Sequence, residues 1–337
     1  MSIEHRIMFQ KDVNDYFRQV PEEDFLMYNG SLVIDIPENY PLYADVSNFD
    51  TWIVKVGTNI ITHSDRRRMH YTMRCISEEL KWLKHNGKNV LLVTSGAIGL
   101  GRKLRQRYGE IIPEEEKDLP KQKQRDSEFG QPLLYALWES NLSFYSQRAV
   151  ESLVVNEDFA NNREKAKLMS SYKGFLSDGF IPVINEDDKR TLAEIETELK
   201  GEKMFRDNDG LSSLIAQYLS IDGHKVILTM LTDTDGILAT DELKKSINEP
   251  IRIVGNFDGI EKYVLAEKSG KTRGGMLSKI DAASKAKSSG AYVVIANGMY
   301  CNHDGNYQRG CGERKFYPIR AIAEGKVVGT RCLPNGY

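Results

Sequence analysis

Two lysines far apart in the chain stand where an anion would be met. Lys55 lies in Trp52-Ile53-Val54-Lys55-Val56-Gly57-Thr58, a β-branched run broken by this one ammonium and closed by a glycine. Burying an ammonium is costly unless an anion meets it, and a glycine two residues on lets a backbone or a phosphate come close. An edge strand with its lysine in solvent is the plainer reading of the same residues. Lys279 follows Arg273-Gly274-Gly275-Met276-Leu277-Ser278, where a glycine pair starts a helix and the lysine, one turn in, points back toward free amides. That arrangement suits a polyphosphate; a surface lysine on an amphipathic helix is the alternative.

The other informative residues follow short apolar strands. Ser95-Gly96-Ala97-Ile98-Gly99-Leu100-Gly101 turns into a helix and leaves backbone amides free to hold an anion. Its glycine order departs from the dinucleotide fingerprint, which disfavours a Rossmann dehydrogenase, and the same glycines would also suit tight packing of a helix on a sheet. Asn185-Glu186-Asp187-Asp188 closes another strand, and Asp207-Asn208-Asp209-Gly210 opens a helix. Asp207 and Asp209 read either as caps or as carboxylates that orient lysines or meet an ammonium, while Asn208 offers donor and acceptor together, as a zwitterion needs. Thr232-Asp233-Thr234-Asp235 reads as a nucleotide-contacting turn. Its Asp-x-Asp also resembles the nucleophile loop of haloacid-dehalogenase-type phosphatases, the weaker reading given Ile237 and the loop's depth in the chain. Ser269-Gly270-Lys271-Thr272 imitates the tail of a Walker A loop, but the required first glycine would fall at Leu265. Cys301, His303 and Cys311 match no standard zinc spacing, so 302–312 reads as a glycine-rich surface loop.

These segments need a scaffold that brings strand ends together. Met69, Met73, Ile76, Leu80 and Leu83 recur at steps of four and three, placing one apolar stripe on a helix that ends near Asn86-Gly87. Strands are expected at 90–94, 152–155, 181–185, 226–231 and 292–296, and helices at 132–147, 163–178, 210–219 and 275–289. Strands separated by helices of this length imply a mostly parallel sheet covered on both faces, with ligands at the carboxyl ends of the strands. The stretch 110–125, charged and carrying Pro113 and Pro120, reads as a solvated loop or flap. Residues 1–50 lack clear periodicity and read as an extension that packs on a partner surface.

Composition narrows the class. The chain has 337 residues, 40% hydrophobic and 28% charged, with 46 basic against 48 acidic residues and a net charge of -2. Such a balance gives no strong field for nucleic acid or an anionic membrane. No apolar stretch reaches the roughly 20 residues that span a bilayer, the first residues resemble no targeting signal, and four cysteines without a Cys-x-x-Cys pair read as reduced, so a cytoplasmic location is expected.

Taken in order, Val54 to Thr58, Val93 to Ala97, Ile181 to Glu186, Asp207 to Asp209, Leu231 to Asp233, Gly274 to Lys279 and Gly329-Thr330 resemble the amino acid kinase family, and within it the branch that phosphorylates glutamate. The resemblance implies an α/β fold, a three-layer αβα sandwich with a mostly parallel central sheet, over 51–333, with 1–50 as an N-terminal extension and 334–337 as a tail. It implies transfer of a phosphoryl group from ATP to the side-chain carboxylate of glutamate, with Mg2+ held mainly through the ATP phosphates and no metal site of the protein's own. Lys55 and Lys279 would supply cations and Asp209 would hold them. Gly57, Ser95, Gly96 and Ala97 would meet the acceptor carboxylate and the transferring group, and Asp188, Asn208 and nearby Asp207 the amino acid. Lys55, Gly57, Thr58, Thr232, Asp233, Arg273, Gly274, Gly275, Met276 and Lys279 would border the nucleotide. The family pattern departs at Asp187, where it has Asn, and at Thr272-Arg273-Gly274-Gly275, where it has Gly-Thr-Gly-Gly, and a kinase domain without the PUA domain often found after it is expected. A homo-oligomer is expected. Another small-acid kinase of the family, or a catalytically weak member acting as an assembly subunit, are the alternatives.

Overall fold

Apolar runs without alternation are what a sheet buried on both faces requires, and here they form its centre. A computed structural model describes residues 26–28, 31–34, 46–191, 204–238, 250–255, 257, 260, 273–299, 317–326, 328–332 and 334. Within them the strands are β1 (Leu26–Tyr28), β2 (Ser31–Ile34), β3 (Thr51–Val56), β4 (Asn89–Thr94), β5 (Arg148–Val154), β6 (Phe180–Glu186), β7 (Val226–Thr232), β8 (Ile253–Val254), β9 (Tyr292–Asn297) and β10 (Thr330–Cys332). They form one sheet in the order β1-β2-β8-β10-β9-β7-β3-β4-β6-β5. All pairs are parallel except β1 with β2 and β10 with β9. β3 is therefore central: Lys55 lies opposite Val93 of β4 and Met230 of β7. The edge-strand reading of Lys55 fails.

The helices are α1 (Thr58–Ile61), α2 (Arg66–His85), α3 (Ala97–Arg107), α4 (Pro120–Phe144), α5 (Asn162–Ser177), α6 (Asn208–Ile221), α7 (Arg273–Ser288) and α8 (Pro318–Ala323). α2 packs against α4 and α8, and α4 against α3, while α6 packs against α7. Together with the sheet they make the three-layer α/β sandwich expected. The stripe read on α2 is buried as Met69, Met73, Ile76, Leu80 and Leu83, and Asp65 caps the helix by accepting from the amides of Arg67 and Arg68 at 2.9 and 3.3 Å.

One expectation needs correction. The charged stretch 110–125 is not wholly a loop, because α4 starts at Pro120, twelve residues before the expected 132, and Pro132 lies inside it. Proline is at ease in a first helical turn, where its missing N–H costs nothing. The charges of α4 are not all solvated either: Asp126 is fully buried, with Arg102 Nε and Arg105 Nη1 of α3 at 2.8 and 2.7 Å from its two oxygens. Residues 1–50, without clear periodicity in sequence, nevertheless contribute strands. β1 and β2 form a hairpin, and β2 continues the sheet parallel to β8. Val46 and Phe49 are already in the core. Cys301, His303 and Cys311, the loop 302–312 and the segment 269–272 lie outside the described residues. Cys75 and Cys332 are buried in the core.

Candidate functional site

Because β3, β4, β6 and β7 run parallel, their carboxyl ends open onto one rim, and the residues that follow each strand meet there. They line a cleft of about 550 Å³. β3 delivers Lys55, Gly57 and Thr58; β4 delivers Ser95, Gly96 and Ala97; β6 delivers Asp188; β7 delivers Thr232 and Asp233. The start of α6 adds Asp207, Asn208 and Asp209, and the start of α7 adds Gly275, Met276 and Lys279. Arg273 and Gly274 open the same helix, but their surroundings fall outside the described residues.

The two lysines converge. Lys55 Nζ lies 2.6 Å from Asp209 Oδ1, and Lys279 Nζ lies 3.2 Å from Asp209 Oδ2. Lys55 and Asp209 are 4% and 5% exposed, so both charges are out of bulk water and depend on one another. Burial pushes the Lys55 ammonium down, Asp209 opposes that, and the Lys279 charge adds to it. Burial pushes the Asp209 carboxyl up, but Lys55 and Lys279 together outweigh it and hold the group below its ordinary range. The result is an ionised carboxylate bridging two ammoniums. Lys279 also donates to the Gly275 carbonyl at 3.2 Å.

Across the cleft, Gly96 adopts φ +110° at the cap of α3, a left-handed conformation that L side chains avoid. A Cβ there would also come within 2.9 Å of Ile61 Cγ2. Gly101 serves packing instead. Its Cβ would fall 1.7 Å from the Asp126 carbonyl oxygen of α4, and one on Gly130 would fall 1.8 Å from the Ala97 carbonyl. The packing reading of the glycine segment is therefore met at Gly101, while Gly96 is required by its backbone conformation at the rim of the cleft. Gly96 turns the chain into α3 at the cleft wall, and Gly101 lets two helices touch backbone to backbone.

The acidic wall is held by specific bonds. Asp207 Oδ1 accepts the Gly210 amide at 2.9 Å, capping α6, while its Oδ2 accepts from the Ser278 hydroxyl of α7. Asn208 Oδ1 accepts the Glu186 amide at 3.0 Å and its Nδ2 donates to Asn185 Oδ1 at 2.9 Å, tying α6 to β6. Asn185 Nδ2 in turn donates to Gln131 Oε1 at 2.7 Å. These bonds leave Asn208 one further donor and one further acceptor site with which to meet a ligand. Asp188 differs in that no cation among the described residues pairs with it; burial, then the neighbouring Asp187 charge, pushes its carboxyl up to about 7.

Asp233 accepts from Asn59 Nδ2 at 2.8 Å and from Thr232 Oγ1 at 3.1 Å. Asp235 does not line the cleft; it accepts from Asn297 Nδ2 at 2.9 Å. The Asp-x-Asp pair is thus not presented jointly to one ligand, which removes the basis for the phosphatase-like reading. Asn59, Gly99, Glu186 and Arg206 also line the cleft, although their sequence context assigns them no role. Glu186 and Gly99 sit inside recognised segments; the only signal for Arg206 is a basic residue directly before Asp207-Asn208-Asp209.

Comparison with known proteins gives concordant matches. The model of the amino acid kinase family matches residues 50–297. A glutamate 5-kinase of Caldanaerobacter subterraneus subsp. tengcongensis is 32% identical over 285 residues, covering 84% of this chain and 67% of that protein. One from Clostridium acetobutylicum is 30% identical over 258 residues, covering 75% of this chain and 88% of its own. A solved Giardia carbamate kinase shares the fold with a TM-score of 0.51 at 14% identity, over 85% of this chain and 99% of that one.

Proposed function

The chain belongs to the amino acid kinase family, and we propose that it transfers the γ-phosphoryl group of ATP to the side-chain carboxylate of L-glutamate, giving γ-glutamyl phosphate and ADP, the first step of proline biosynthesis. The observation that carries this reading is one buried carboxylate, Asp209, held between two lysines on the wall of a cleft opposite a glycine-turned helix start. In the proposed step a glutamate side-chain oxygen attacks the γ-phosphorus as the bond to the β,γ-bridging oxygen breaks, and no covalent enzyme intermediate forms. Such transfer asks chiefly for in-line positioning and for cations around the migrating group.

Lys55 and Lys279 supply those cations, and Asp209 fixes their ammoniums without consuming all their donors, since each ammonium has three. Ser95, Gly96 and Ala97 approach the acceptor carboxylate and the moving phosphoryl group. Asp188 in its ionised form takes the glutamate ammonium, with Asn208 and Asp207 beside it. Gly57, Thr58, Thr232, Asp233, Arg273, Gly274, Gly275 and Met276 border the nucleotide; Gly275 fits that role, because nothing lies within 4 Å of the place its Cβ would take. Mg2+, when bound with ATP, neutralises phosphate charge, and it is held mainly by the phosphates. Homo-oligomeric assembly and a cytoplasmic setting belong to the same reading; no described helix is long and apolar enough to cross a membrane.

Purified protein given MgATP and hydroxylamine is expected to form γ-glutamyl hydroxamate from glutamate, and no hydroxamate from aspartate or acetylglutamate. Product from a different acid alone would move the assignment within the family. ATP binding without turnover on any acid would make the chain an assembly subunit instead.

A further inference from the structure

The cleft holds three cationic side chains among its described lining residues, and they are not equivalent. Lys55 and Lys279 are buried and both engaged by Asp209. Arg206 is exposed to the cleft, and among the described residues no ion pair or hydrogen bond holds its guanidinium. Its backbone, by contrast, is fixed on both sides. Phe205 is buried, stacks edge-on against Phe159 at 5.9 Å, and donates its amide to Asn156 Oδ1 at 3.0 Å. Asp207 is tied to the α6 amides and to Ser278. The backbone that carries this guanidinium is thus anchored at the same helix start as Asn208, on the β6 side of the cleft where Asn208 is bonded to Glu186.

An amino acid acceptor brings three charged groups. The side-chain carboxylate must face the phosphoryl group, and the ammonium has an acidic wall to meet, which leaves the α-carboxylate in need of a cation. Lys55 and Lys279 cannot serve it without leaving the reacting centre. Guanidinium is the side chain best matched to a carboxylate, through two parallel N–H donors. Resting on the function proposed above, we propose that Arg206 is a specificity residue that clamps the α-carboxylate of the acceptor, so that the enzyme selects acceptors with an α-carboxylate over monocarboxylic acids of the same length.

The test compares Arg206→Ala and Arg206→Lys with the unaltered protein on two acceptors, glutamate and 4-aminobutyrate, which keeps the ammonium and the terminal carboxylate but lacks the α-carboxylate. We expect Arg206→Ala to lower kcat/KM for glutamate roughly 10- to 100-fold, mostly through KM, with partial recovery in Arg206→Lys. The KM for ATP should stay within about twofold, and the preference for glutamate over 4-aminobutyrate should shrink by the same factor that glutamate loses. A glutamate KM that survives Arg206→Ala overturns the proposal, as does a loss that falls on the KM for ATP, which would put Arg206 on the phosphates. If the unaltered protein fails to phosphorylate glutamate, the functional reading itself fails; an active protein indifferent to Arg206 sinks this inference alone. Thermal melting of each variant checks that the exposed substitution leaves the fold intact.

Discussion

Two buried aspartates in this molecule each bridge two cations, and they do opposite things. Asp126 sits between Arg102 and Arg105 where α3 crosses α4, and its cations have other partners. Arg105 also reaches Glu110 Oε2 at 2.8 Å and Gln122 Oε1 at 3.1 Å, and Arg102 donates to the Lys117 carbonyl. Asp209 instead bridges two lysines that face a cleft. The guanidiniums spread their donors over fixed protein acceptors and close the structure around themselves. The ammoniums, pinned by one carboxylate, keep donors for something that arrives. The lesson is that a buried ion triad is read by what remains unspent on its cations, since burial and pairing are alike in both.

The widest separation between the two triads should come from deleting one cation in each. Lys279→Ala is expected to cut kcat at least 100- to 1000-fold, because it removes charge that acts on the transition state. Arg105→Ala should cost about 3–5 kcal/mol of stability by leaving the buried Asp126 with Arg102 alone and taking the donor from Glu110 and Gln122, while the folded fraction keeps its kcat. Steady-state kinetics beside urea melts would read both, and an Arg105→Ala enzyme that is stable but slow would collapse the distinction. A smaller effect concerns Asp188, the acid beside the lysine triad that no described cation pairs with. Its ionised form binds the substrate ammonium, and its carboxyl is pushed up to about 7, so protonation below that pH removes the site. KM for glutamate should therefore rise up to about tenfold per pH unit below 7 and level off above 8. Asp188→Asn should raise KM and flatten the profile; a slope that survives the substitution would exclude Asp188 as its source.

The smallest effect tests a third kind of buried acid. Glu79 in α2 is fully buried, and its Oε1 accepts the Arg320 amide at 2.9 Å. Burial raises its pKa from 4.5 to about 8. The fold thus favours the protonated form, and this contribution is complete below about pH 4.5 and is lost as pH climbs through 8. Glu79→Gln keeps the acceptor and discards the titration, so its stability advantage over the native protein should grow by roughly 1 kcal/mol per pH unit across that window. Denaturant melts at pH 5, 7 and 9 would show it, and a constant gap would mean that Glu79 is ionised in the fold.

Much of this architecture is legible in the chain, for identifiable reasons. A single charge in a β-branched strand marks Lys55, because a parallel strand buried on both faces has no bland place for it. The periodicity of α2 is equally plain, since five apolar positions fall on one face. The N-terminal half of α4 is hidden, because its charges look like a solvated loop unless one knows that Arg102 and Arg105 come from another helix to meet Asp126. Local pattern cannot show a partner supplied from elsewhere in the chain. The same limit hides Arg206: its one signal in sequence is its place directly before Asp207-Asn208-Asp209, and the shared cleft sets it apart. The glycines of 96–101 carry two meanings at once, and only φ at Gly96 and the crossing distance at Gly101 divide them.

The contact between Gly130 and Ala97 has a mechanical result. With the α4 backbone against the Ala97 carbonyl, the opening turn of α3 has no room behind it to retreat. That side of the cavity is a fixed jaw, braced from behind by α4.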